Sequence, residues 1–130
     1  MTKRTLISIL MVICLTSCSE KFKTIDPTDF NKKISTRTDI KSVEQLARLF
    51  YDFPENEGIP HLEIESRELM DNKFEVTLIH DNQQDDSQRA TKLILIAEQK
   101  NDTWSILEIK ENWRCYQGRG HTDWGIEYCN

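Results

Sequence analysis

The sequence lacks a second long apolar run, a surplus of basic residues, a glycine-rich phosphate loop and any internal repeat. With one apolar stretch, at the N-terminus, a multi-span membrane protein is excluded. Lys and Arg number 17 against 22 Asp and Glu, a formal net charge of −5. General nucleic-acid binding needs a basic face that displaces phosphate counterions, and this balance excludes it. Neither a P-loop nor a Rossmann fingerprint occurs, so nothing points to a nucleotide cofactor. Hydrophobic residues make up 38% and charged residues 30% of the 130. That is too apolar for disorder, and the length suits one domain.

What is present begins at the N-terminus. Lys3 and Arg4 precede an apolar stretch over residues 5–15. A span needs about 20 helical residues, so this stretch is too short to cross a bilayer and has the length of a signal-peptide core. Leu15-Thr16-Ser17-Cys18 follows directly. These residues resemble the lipobox of bacterial lipoproteins: an aliphatic residue, two small residues and an obligatory cysteine. The resemblance implies diacylglyceryl transfer to the Cys18 thiol, cleavage before Cys18 and further acylation (palmitate-type) of the new amino group. Small side chains at 16 and 17 let a peptidase hold the segment extended against its own backbone. Two or more acyl chains give stable anchoring where one does not.

The four cysteines then separate. On that resemblance Cys14 would leave with the signal peptide and Cys18 would carry lipid. Cys115 and Cys129 remain in an exported, oxidising compartment that favours pairing them. Metal ligation with His121 fits no recognised zinc spacing, and a free catalytic thiol has still less support. Cleavage removes Lys3 and Arg4, leaving 15 basic against 22 acidic residues over 18–130, a net charge of −7. Anionic head groups would repel such a body, so lipid and not charge would hold it.

The expected organisation is a signal peptide over 1–17, a lipidated N-terminus and polar tether over 18–41, and one domain over 42–130. Asp26-Pro27 suits a helix start, with Phe30 and Ile34 on one face. Ser42 and Gln45 form a capping box ahead of Val43, Leu46, Ala47, Leu49 and Phe50 at helical spacing. Pro54, Gly58 and Pro60 mark a loop over 52–60. From His61 the period becomes two, predicting strands through Leu62 and Ile64, through Phe74, Val76 and Leu78, over 89–98, and through Trp104, Ile106, Leu107 and Ile109. Turns fall at Asp71-Asn72 and Asn101-Asp102, and an exposed loop at 81–88. One or two helices followed by a four-stranded antiparallel meander predict an α+β domain, similar in element order to the cystatin-like and NTF2-like classes.

The chemistry-bearing residues crowd into 113–130, WRCYQGRGHTDWGIEYCN, with three of the four glycines and two of the three tryptophans. The segment resembles the cysteine-bracketed tail, with a Gly-Arg-Gly-His core, of small uncharacterised exported bacterial proteins, and the resemblance implies no activity. A closed loop carrying Trp113, Arg119, His121, Asp123 and Trp124 is a candidate recognition surface. It would also serve as a stability lock in which the tryptophans cover the sheet end and Asp123 pairs with Arg119. His121 and Asp123 lack an activated nucleophile for a triad, and Glu63 and Glu65 share a strand face as alternating carboxylates usually do when solvated.

The expected protein is a monomeric, lipid-anchored envelope module, non-catalytic, binding an envelope protein or small molecule without cofactor or metal. Ser19 after the lipidated cysteine fits outer-membrane sorting, facing the periplasm. A small hydrolase-like enzyme using His121 and Asp123 or Glu63 and Glu65 is the alternative.

Overall fold

The computed structural model describes residues 19–53 and 61–130. The expected signal peptide over 1–17, Cys18 and the loop residues Pro54, Gly58 and Pro60 lie outside them.

Seven elements follow one another: β1 (Lys23–Ile25), α1 (Thr28–Ile34), α2 (Val43–Phe50), β2 (His61–Glu68), β3 (Lys73–Asp81), β4 (Gln88–Lys100) and β5 (Thr103–Cys115). The strands form one antiparallel sheet in the order β1-β5-β4-β3-β2. The α+β class agrees with the sequence reading, and from α1 onward so does the order of helices and then strands.

Local chemistry sets each element. Ser42 Oγ accepts the Gln45 N–H at 3.2 Å and opens α2, while Gln45 Oε1 accepts the Lys41 N–H at 2.8 Å. Val43, Leu46 and Ala47 are buried along one stripe. Ahead of α1, Asp26 Oδ1 accepts both the N–H and the hydroxyl of Thr28. Asp71 and Asn72, and again Asn101 and Asp102, have positive φ. That is the conformation of a two-residue hairpin loop closing twisted strands, and Asn and Asp tolerate it.

One face of the sheet carries both helices. Val76, Leu78, Leu93, Leu95, Ala97, Trp104, Ile106 and Ile109 pack there against Ile34, Ile40, Leu46 and Ala47. Ile106 and Ile109 are three apart, which strict alternation forbids. A register shift between Ile96 and Ala97 makes Leu107 the extra residue and leaves it exposed, so both isoleucines face inward.

Two expectations are corrected. The sheet has five strands, not four, because β1 pairs with β5 through Lys23↔Glu111 and Ile25↔Ile109. The segment expected as a tether over 18–41 is, from β1 onward, part of the fold, which therefore starts well before residue 42. Its apolar residues are sparse, yet Ile34 and Ile40 are fully buried, and Phe30 meets Phe50 edge-on at 5.1 Å. Asn31 replaces a strand partner for β5, donating to the Ile106 carbonyl and accepting its N–H, both at 2.8 Å. Trp104 Nε1 donates to the Ile40 carbonyl at 3.0 Å.

The 81–88 loop is less solvated than its composition suggests. Gln83 turns inward, donating to Tyr51 Oη at 3.2 Å and accepting from Thr91 Oγ1 at 3.2 Å, beside the buried His80.

Candidate functional site

Alternation along the last turn of β5 decides which groups face where. Trp113 and Glu111 lie on the helix-bearing face, opposite Thr91 and Leu93; Asn112 and Arg114 lie on the outer face, opposite Lys92 and Ala90. Beyond Cys115 the chain reverses and returns along the β5 edge. Gly125 exchanges two backbone bonds with Trp113, at 2.9 and 3.0 Å. The Cys115–Cys129 disulfide closes the loop with the Cα atoms 5.5 Å apart.

Gly120 makes that closure possible. Its φ is +142°, and a Cβ there would sit 2.8 Å from Cys115 Sγ. The His121 carbonyl accepts the Cys115 N–H at 2.8 Å, and the Arg119 carbonyl accepts the Asn130 N–H at 2.6 Å.

His121 is held by its own neighbours' backbone. Nδ1 lies 2.8 Å from the Asp123 carbonyl oxygen and Nε2 lies 2.9 Å from the Glu127 carbonyl oxygen. A carbonyl only accepts, so both bonds require both ring nitrogens to carry hydrogen, which is the imidazolium. The Asp123 carbonyl bond raises the His121 pKa; burial opposes it, and the Glu127 carbonyl and the nearby carboxylates add to it. A ring so occupied offers no lone pair for a metal or a proton. The Cys115, His121 and Cys129 ligand atoms lie within 4.8 Å of one another, but the sulfurs are joined to each other and present no thiolate.

The outer face gathers groups from three distant segments. The Trp124 ring packs on Arg114, with Cζ 4.0 Å from its centroid, and on Lys92, with Nζ at 4.3 Å. Lys92 Nζ donates to Glu20 Oε2 at 2.7 Å, and Asn112 Nδ2 donates to the same oxygen at 3.2 Å and to the Lys21 carbonyl at 3.1 Å. Burial raises the Glu20 pKa, but the Lys92 and Asn112 bonds outweigh it and the net shift is downward. Lys21 Nζ lies 3.7 Å from Glu127 Oε1. Between these groups runs a cleft of about 530 Å³ bordered by Ser19, Glu20, Lys21, Arg114, Asp123 and Trp124. Two buried atoms there, Asn112 Oδ1 and Arg114 Nε, have no partner among the described residues.

The sequence-predicted residues are therefore distributed. Asp123 and Trp124 line the cleft. Trp113 faces the other side, its Nε1 donating to the Glu127 carbonyl at 2.9 Å. Arg119 stands apart and exposed, reaching the Asn130 carbonyl at 3.4 Å and not Asp123, which corrects the expected Arg119–Asp123 pair. Glu63 and Glu65 are exposed on edge strand β2. Sequence reading passed over Lys92, Arg114, Glu20 and Lys21. Lys92, a cation inside the apolar run ATKLILIA, was the available signal.

A second, smaller cleft of about 290 Å³ opens on the helix-bearing side, bordered by Gln88, Glu111, Trp113 and Tyr128. Burial raises the Glu111 pKa against the pull of Lys23. No family model matches this chain, and no curated protein or solved structure does either.

Proposed function

We propose that this protein is a lipid-anchored module of the bacterial cell envelope that works by binding, not by catalysis, with the Trp124 cleft as its interaction surface. In this reading residues 1–17 are removed, Cys18 is lipidated, and Ser19 directs the protein to the outer membrane, facing the periplasm. The observation that carries the binding reading is the cleft itself: an indole packed on two cations and rimmed by exposed charges. The rest of the Gly-Arg-Gly-His tail is engaged with its own backbone. Helices preceding a meander also keep the resemblance to cystatin-like and NTF2-like domains open as a proposal of fold kinship.

The hydrolase-like alternative has geometry against its first candidates. His121 spends both nitrogens on carbonyls, Asp123 meets it through its main chain, and Glu63 and Glu65 stand in solvent. What favours an enzyme is Glu111, a carboxyl held toward its neutral form beside Trp113. In cells, the Cys18→Ala protein is expected to stay unprocessed and to take up no labelled fatty acid. Normal cleavage and labelling of that variant would refute the anchor.

A further inference from the structure

We infer that the partner met by the Trp124 cleft is the bilayer that carries the protein's own lipid: the domain is seated directly on the zwitterionic head-group layer by this end of the sheet. The inference rests on the reading of Cys18 as the lipid-bearing residue and goes beyond it by assigning an orientation.

Chain length carries the argument. Cys18 is one peptide bond from Ser19, which borders the cleft. Glu20 is already held, its carboxylate on Lys92 and Asn112, and the next carbonyl, that of Lys21, is also held by Asn112. At roughly 3.3–3.6 Å per residue, the Cα of Cys18 lies no more than about 7 Å from that of Glu20. No tether remains to lift the domain away. Acyl chains leaving Cys18 must enter the membrane beside the cleft, and the head-group layer, roughly 5–7 Å deep on each side, must reach it.

The chemistry of the surface suits that layer. Trp124 is the residue type enriched at membrane interfaces, and Tyr128, 94% exposed, stands in the same disulfide-closed tail. Lys21 and Arg114 share the cleft lining with Asp123 and Glu127. Cations matched to phosphate and carboxylates matched to ammonium fit a zwitterionic head group. The 81–88 loop stands at this same end, bonded to Tyr116 through the Ser87 and Gln83 carbonyls, and carries Asp81, Asp85 and Asp86, so anionic lipid repels it and a zwitterionic layer is the one that fits. Both Asn-Asp hairpin turns lie at the opposite end of the sheet. Residues 103–115 of β5 place Asn101 and Asp102 roughly 40 Å from the anchored end at ~3.3 Å per residue.

The three tryptophans test this without altering the protein. Full-length lipidated protein, purified in detergent, is reconstituted into nanodiscs of the zwitterionic lipids phosphatidylethanolamine and phosphatidylcholine containing a head-group spin-labelled lipid. The indole N–H signals are then read by NMR. Trp124 is expected to broaden at least about tenfold more than Trp104, which lies ~30 Å further along the sheet. A flexible polar insert between Ser19 and Glu20 should abolish that difference while the protein stays membrane-bound. If the protein is lipidated and bound but Trp124 broadens no more than Trp104, the orientation is wrong and the anchor stands. If Cys18 carries no acyl chain and Cys18→Ala partitions as wild type does, the anchor fails and the orientation with it.

Discussion

Trp113 Nε1 and His121 Nε2 share one acceptor, the carbonyl oxygen of Glu127, each at 2.9 Å. That oxygen ties the end of β5 to the returning tail on the helix-bearing side, while Trp124 ties the tail to the outer face. The disulfide loop is thus gripped from both sides of the sheet.

The His121 clamp predicts a pH dependence of stability. Its folded pKa is raised above the ordinary 6.5, so the cation is the form that makes both bonds. The contribution is complete below that value and is lost as pH rises through the folded value. Thermal melts of the wild type should fall across this window toward alkaline pH, and those of His121→Gln should lack the step. Parallel pH profiles for the two proteins would disprove the clamp.

The two positive-φ glycines of the tail should respond differently. Gly118→Ala has open space around the new Cβ and φ +80°, so it should cost only about 1–2 kcal/mol of backbone strain. Gly120→Ala drives a Cβ against Cys115 Sγ and should cost about 3 kcal/mol or more, with incomplete disulfide formation. Cys115→Ser should lose about 3 kcal/mol by the loop-entropy estimate. Denaturant titration with thiol counting ranks the three.

Asn31→Ala removes the side chain that bonds both main-chain groups of Ile106. Each of those groups is left partly buried, and the expected loss is about 1–3 kcal/mol. Hydrogen exchange at the Ile106 amide should accelerate more than at Ile109, whose strand pairing with β1 is untouched.

The Glu20–Lys92 pair is asymmetric. Side-chain exposure is 42% for Glu20 but 12% for Lys92. Glu20→Ala leaves a poorly hydrated ammonium and should cost about 2 kcal/mol after allowance for solvent screening, whereas Lys92→Met should cost clearly less. Since the Glu20 pKa is lowered from 4.5, the pair's contribution is present above that value and lost as pH falls through the folded one. Urea midpoints at neutral and acidic pH measure both effects.

Much of the fold was legible because its signals are local. Period-two runs announced β2 through β5, a Ser cap and a 3.6-residue stripe announced α2, and Asn-Asp pairs announced the hairpins, since each depends on neighbours a few residues away. β1 was not legible. Lys23–Ile25 is three residues long, carries no pattern, and is a strand only because β5 offers it an edge. In the tail, residue types pointed to a recognition loop, but not to which groups turn inward.

Sequence by itself determined the α+β class, the order from α1 onward and the hairpin positions, all properties of local periodicity, while the Cys115–Cys129 pairing was expected from the lipobox resemblance and is present in the structure. Tertiary structure alone decided the cleft, because its contacts join residues remote in the chain: Glu20 reaches Lys92 across 72 positions and Asn112 across 92. It also decided that His121 is a clamp, since whether a ring nitrogen is free depends on where two carbonyls come to rest after the loop has closed.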